Sequence, residues 1–162
     1  MIGNLVAVPP KQLDAFIADP DLVAPFLYPE DGDAEPANHL DIDKAWHAIH
    51  YTLNGKTWEG EEPLFLTILG GEEIGEDVGY GPARYLIPAQ VQAVASALSA
   101  VDADQFSKRF DPAAMDSAEI YPQIWQRDGA EGLEYVTHHY AHLSSFYRAA
   151  AERGDAVLIY LN

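Results

Sequence analysis

Four side chains able to bind a metal or carry a proton lie in one short stretch: Asp43, His47, His50 and Asn54. The apolar spacing predicts one amphipathic helix over residues 41–54, and at 100° per residue these four side chains fall within about 60° of one another. Such neighbours could bind a divalent metal, and His50 beside a carboxylate could instead act as a general base. The competing interpretation is structural, with His50 half-buried and hydrogen-bonded and His47 in solvent. We favour it because one His-x-x-His pair is weak evidence for a metal site.

A second group of this kind, Glu134, His138 and His142, recurs every four residues in a long helix predicted over residues 130–152. Two histidines at this spacing could hold a metal ion. The apolar face of the helix lies on the opposite side, so we expect the two histidines to be exposed. We therefore predict no bound metal and no cofactor. That apolar face consists of Leu133, Val136, Tyr140, Leu143, Tyr147 and Ala151.

Residues 70–82 contain five glycines and resemble a phosphate-binding loop in glycine content only. Four carboxylates within six residues would repel phosphate, and no Gly-Lys-Ser/Thr sequence follows. We predict a structural loop here.

Arg84 lies two residues after this loop and is one of only nine Lys and Arg residues. With Tyr80 and Tyr85 it could clamp a carboxylate ligand, or it could pair with an acid of the chain such as Asp41 or Asp43. With 26 acids available, we favour the internal ion pair.

The elements that must position these residues are short and irregularly ordered. We predict strands at residues 2–8, 83–87 and 156–161, the last of them central because it is apolar on both faces. Further helices are predicted at 11–17, 88–100 and 102–110. Residues 64–69 fit either a strand or a buried helical turn, and residues 19–38, 111–112 and 120–125 are predicted to be irregular. These elements predict a single compact α+β domain over residues 1–162, with a small mixed or antiparallel sheet and four to five helices.

The composition is strongly acidic, with 26 Asp and Glu, nine Lys and Arg, and a formal net charge of −17. Such a surface repels nucleic acids and anionic lipids, so we exclude both as partners. The absence of cysteine and of a secretory signal pattern at the N-terminus predicts a cytoplasmic protein. The acidity fits either simple solubility or a basic protein partner steered by electrostatics.

Three separate segments resemble the DUF1877 family, also called the YfbM-like family. They are residues 40–55 with Leu-Asp-Ile-Asp-Lys-Ala-Trp, residues 68–86 with Gly-Tyr-Gly-Pro-Ala-Arg-Tyr-Leu, and residues 120–125 with Ile-Tyr-Pro. The resemblance implies a small bacterial α+β protein of uncharacterised function, and it supplies no catalytic residues. His47, His138 and His142 lie outside the family pattern. The matching positions are Asp41, Asp43, Trp46, His50, Gly55, Tyr80, Gly81, Pro82, Arg84, Tyr121 and Trp125.

We favour a non-enzymatic, acidic protein-binding module, of the kind that neutralises a basic toxin as an immunity protein or antitoxin does. The alternative is an enzyme or a binder of a small polar ligand, with an acid–base group, a guanidinium and aromatic walls in one pocket. The residues predicted to bind that ligand are Asp43, Trp46, His50, Tyr80, Arg84, Tyr121 and Trp125. A metal-dependent hydrolase using either histidine pair is a third hypothesis.

Overall fold

The computed structural model describes residues 1–29 and 36–162, and its described strands form one antiparallel sheet of order β2-β1-β5-β4-β3. The prediction of an α+β fold is confirmed. The strands are β1 (Gly3–Val8), β2 (His39–Asp41), β3 (Glu72–Asp77), β4 (Pro82–Leu86) and β5 (Ala156–Leu161).

The C-terminal strand β5 lies at the centre of the sheet, as predicted from its apolar sequence. It pairs antiparallel with β1 along its whole length, from Gly3 opposite Leu161 to Val8 opposite Ala156, and with β4 on its other side. Because both faces of a central strand are covered, apolar residues are needed at every position.

Seven α-helices surround this sheet in the part of the chain that is described, more than the four to five expected. They are α1 (Pro10–Ala18), α2 (Val23–Leu27), α3 (Trp46–Asn54), α4 (Pro88–Ser99), α5 (Ala103–Arg109), α6 (Pro112–Ser117) and α7 (Trp125–Arg153). The Asp102 side chain caps α5 by accepting a hydrogen bond from the Gln105 N–H. No helix among these residues is long and apolar enough to cross a membrane.

The sheet separates two helical layers, because successive side chains of a strand point to opposite faces. In β1, Leu5 and Ala7 pack into a large core formed with α3, α4 and α7, whereas Val6 and Val8 join a smaller core with α1 and α2. The candidate site lies on the face of the large core.

Two segments near the candidate site differ from the predictions. Residues 72–77 form strand β3 rather than part of a loop, because their backbone pairs with β4 despite Gly75. The predicted helix over 41–54 divides into the end of β2, a 3-10 helix at Asp43–Ala45, and α3. Asp43 therefore precedes the helix that carries the two histidines.

Other predicted irregular segments contain short helices. The Asp111 carboxylate accepts from the Ala114 N–H and starts α6, where only a turn was expected. A 3-10 helix at Pro20–Leu22 and α2 occupy part of the predicted connection 19–38, whose residues 30–35 lie outside the described residues. Residues 64–69 contain a 3-10 helix at Leu64–Thr67.

Candidate functional site

The imidazole of His47 is buried, with 1% of its surface exposed, and both of its ring nitrogens are in use. Nδ1 accepts a hydrogen bond from the Tyr121 N–H at 3.0 Å, which requires Nε2 to carry the proton that is donated to the Thr57 carbonyl at 2.9 Å. Burial lowers the pKa of His47, so the ring is neutral. The prediction that His47 is solvated is wrong, because residues 57–59 return across α3 and cover it.

His50 is fully buried and bonded in the same way. Its Nε2 donates to the Glu59 carbonyl at 3.1 Å, and its Nδ1 accepts from the Asn54 amide at 3.3 Å. Burial lowers the pKa of His50 to about 4. Since neither ring offers a free lone pair, the His47–His50 pair has nothing with which to bind a metal or accept a proton in this conformation.

Asp43 lies at the junction between β2 and α3, where it adopts a positive φ of 45°. Its N–H donates to the Asp41 carboxylate at 2.6 Å, and its own carboxylate accepts from the Tyr135 hydroxyl at 3.0 Å. Burial and this carboxylate raise the pKa of Tyr135, whose oxygen also accepts from the Lys44 N–H at 3.1 Å. These bonds tie the start of α3 to α7.

Trp46, Tyr121 and Trp125 belong to the core or its edge. Trp46 is fully buried, and its ring contacts His47 at 4.7 Å and Tyr121 at 6.0 Å between centroids. The Tyr121 hydroxyl accepts from the N-terminal ammonium of Met1 at 3.1 Å. Trp125 is also fully buried and donates its indole N–H to the Ile120 carbonyl at 2.9 Å.

Two of the predicted ligand-binding residues, Tyr80 and Arg84, line the same open cleft of about 370 Å³. We call it the Trp58–Tyr80 cleft. Its floor comes from β4 and β5, and its walls come from residues 58–69 and from the turn between β3 and β4. The lining residues are Trp58, Phe65, Ile68, Leu69, Glu73, Tyr80, Gly81, Pro82, Arg84, Ile159, Tyr160 and Leu161.

Arg84 forms the internal ion pair that was favoured, but with a different acid from those suggested. Its Nη2 lies 3.0 Å from the Glu73 carboxylate on the neighbouring strand, and its Nη1 donates to the Leu69 carbonyl. Glu73 and Arg84 are directly opposite each other in the β3–β4 register. This pairing was not predicted, because residues 70–82 were expected to form a loop rather than a strand.

Two exposed aromatic side chains flank this cleft: Trp58, at 56% exposure, and Tyr80, at 61%. The Trp58 ring lies 4.4 Å from that of His47 between centroids. Tyr80 is fixed through its backbone N–H, which donates to the Leu161 carbonyl at 3.1 Å. The Asp77 carboxylate holds the same turn by accepting from the N–H groups of Gly79 and Gly81. The backbone that carries Tyr80 is therefore held by hydrogen bonds, and the Trp58 ring is held by its contact with the buried His47.

Sequence reasoning did not identify Trp58. Its neighbours, in Lys-Thr-Trp-Glu-Gly-Glu-Glu, have neither helical nor strand periodicity, so nothing indicated which surface it would join. The sequence nonetheless contained a signal. A tryptophan in a segment too polar to be buried must either be exposed or pack over other residues at the surface.

The chain that builds most of the cleft is strongly acidic. Residues 56–84 contain seven acids and two bases, Lys56 and Arg84, and the charge of Arg84 is compensated by Glu73. The cleft therefore combines aromatic walls with a negative surrounding field.

His138 and His142 lie on the exposed face of α7 as predicted, with ring centroids 4.5 Å apart. In the described parts of the chain, no three His, Asp or Glu side chains are grouped so that they could hold a metal. Metal sites in proteins generally use three or four protein ligands, which this pair does not supply.

An antiparallel five-stranded sheet between two helical layers, with an aromatic cleft over β4 and β5, defines a small α+β domain. The chain belongs to the family described as Domain of unknown function (DUF1877), whose model matches residues 1–160. Its fold is similar to the crystal structure of YfbM from Escherichia coli, described as a protein of unknown function. The identity is 22%, the match covers 98% of each chain, and the TM-score is 0.75. A search of curated proteins finds no match.

Proposed function

We propose that this protein is a non-enzymatic binding domain that docks a basic protein partner at the Trp58–Tyr80 cleft. The observation that carries the proposal is the exposure of Trp58 and Tyr80, which exceeds that of the other exposed large hydrophobic side chains described. Both residues line one cleft, and the segment that builds most of it is acidic. Exposed aromatic residues on a fixed scaffold are typical anchors of protein interfaces, because they bury a large area at a small cost in side-chain entropy.

The state of the histidines favours binding over catalysis. General acid–base chemistry needs a group that can exchange a proton with substrate within hydrogen-bond reach. His47 and His50 use both ring nitrogens in bonds to backbone groups or to Asn54. Their role in this conformation is to fix residues 57–59, and with them Trp58, against α3.

The net charge of −17 supports a basic partner rather than a neutral one. A field of one sign speeds the encounter with an oppositely charged protein and disfavours acidic competitors. Neutralisation of a basic toxin is one function that fits this electrostatic character. A gene for a basic secreted toxin beside this one would support that role.

Affinity capture with matched variants tests the proposal. The wild-type protein, the double variant Trp58→Ala/Tyr80→Ala and the control Ile17→Ala would be immobilised and exposed to cell extract. Ile17 is a suitable control because it is also exposed, at 48%, and lies on α1 on the other side of the sheet. We expect the wild type and the control to retain basic proteins that the double variant does not retain. Equal retention by all three proteins would contradict the proposal.

A small carboxylate ligand is a second candidate, and the observation in its favour is Arg84. The guanidinium side chain is 38% exposed on the cleft lining, where a ligand could displace the Glu73 carboxylate. A thermal-shift screen of small carboxylates against the wild type and Arg84→Gln would test it. A stabilisation seen only with the wild type would favour this candidate, and no stabilisation would count against it.

A further inference from the structure

We infer that the Trp58–Tyr80 cleft receives the guanidinium side chain of an arginine from the partner protein. This inference rests on the proposed function and specifies the chemical group that is recognised. Arginine combines a planar cation, which stacks on aromatic faces, with hydrogen-bond donors that match a carboxylate.

The aromatic part of the receptor is Trp58. His47 packs against the indole, and more than half of the Trp58 surface still remains open at the cleft. Tryptophan is the best aromatic acceptor for a cation, and Tyr80 supplies a second ring on the same cleft.

The acidic part of the receptor is Glu73. Its Oε1 is held by Arg84, while its Oε2 receives no hydrogen bond from any described residue. The Glu73 side chain is 58% exposed and lines the cleft, so Oε2 is available to an incoming guanidinium. Arg84 is paired with Glu73 and one of its nitrogens is bound to the Leu69 carbonyl, so an anionic ligand would first have to displace Glu73, whereas a guanidinium can bind at Oε2 with that ion pair intact.

The partner enters through a side chain rather than as an added strand. Strand β3 lies at the edge of the sheet, but its register shifts between Ile74 and Asp77. Gly75 also lies against the chain before α2, where an added Cβ would be 3.3 Å from the Pro20 carbonyl oxygen. A bulged, charged and partly covered edge is a poor template for strand pairing.

Short peptides that differ only in charge test this inference by NMR. The probes are acetyl-Gly-Arg-Gly-amide and its citrulline analogue, which has nearly the same shape and no charge. The readout is the indole N–H signal of Trp58, assigned by its loss in Trp58→Phe. The buried indoles of Trp46 and Trp125 serve as internal references.

We expect the arginine peptide to shift the Trp58 signal in a saturable way. Its dissociation constant should be at least about threefold lower than that of the citrulline peptide. Glu73→Gln should remove that preference. Equal binding of the two peptides would overturn the inference. The proposed function would still stand, since the partner could then bind in the cleft through an uncharged side chain. The absence of a shift with either peptide would also overturn it, while affinity capture decides the proposed function separately.

Discussion

The imidazole of His47 lies 4.4 Å from the exposed indole of Trp58, and its Nε2 donates to the carbonyl of Thr57, the residue immediately before that tryptophan. A buried, neutral histidine therefore fixes both the backbone and the ring of the main aromatic residue of the cleft. The same imidazole accepts the Tyr121 N–H, so it also joins α3 to the segment that precedes α7.

Replacing His47 with leucine should destabilise the fold. Leucine fills a similar volume but leaves the Tyr121 N–H and the Thr57 carbonyl without their partner, at a cost of about 2 kcal/mol in the free energy of unfolding. Urea denaturation measures this loss. The control is His142→Leu, the same substitution at an exposed position of α7. Equal unfolding free energies for the two variants would mean that the bonds of His47 do not stabilise the fold.

Stability should fall as the pH is lowered from about 6.5 to about 4 because of His50. Its pKa is about 4 in the folded protein and 6.5 ordinarily, so in this range the unfolded chain binds a proton that the folded chain does not. Protonation therefore favours unfolding, and the full stability is present only above about pH 6.5. The resulting loss in the free energy of unfolding is roughly 3 kcal/mol at most.

Urea denaturation of the wild type and His50→Gln at several pH values isolates this effect from that of the carboxylates. The variant is expected to be less stable at pH 7 and to lose less stability between pH 6.5 and 4. Parallel pH curves for the two proteins would show that His50 does not titrate as its burial requires.

Two glycines at the two ends of the β3–β4 hairpin should respond differently to alanine. Both have a positive φ, 94° at Gly71 and 102° at Gly81, so each substitution carries a similar backbone strain. A Cβ at Gly71 would lie 2.6 Å from the Tyr85 carbonyl oxygen, whereas nothing lies within 4 Å of one at Gly81. We expect Gly71→Ala to lower the unfolding free energy by about 1–3 kcal/mol more than Gly81→Ala, measured by chemical denaturation. Equal losses would show that backbone strain alone determines the cost.

Elements were predicted well where the pattern of apolar residues directly reflects which faces of the strand or helix are buried. Strand β5 is apolar at every position because both of its faces are covered, and α4 begins at Pro88 and has apolar residues at helical spacing. Strand β3 was missed because its acids and Gly75 are acceptable only on an edge strand, which the local pattern does not reveal.

The site was predicted only in part, because it depends on how segments return across one another. Helical geometry placed His47 and His50 on a polar stripe and could not show that residues 57–59 would cover that stripe with carbonyl groups. Arg84 was correctly expected to form an internal ion pair, but its partner depends on a β3–β4 register that only the fold reveals.

The most direct test of the central claim is the affinity of a captured basic partner for the wild type, Trp58→Ala and Ile17→Ala, measured at low and high salt. If the Trp58–Tyr80 cleft is the docking site, Trp58→Ala should bind at least about tenfold more weakly, as expected for an aromatic anchor, and Ile17→Ala should bind like the wild type. Binding by the wild type should also weaken as salt screens the charges. A dissociation constant for Trp58→Ala equal to that of Ile17→Ala would contradict the claim.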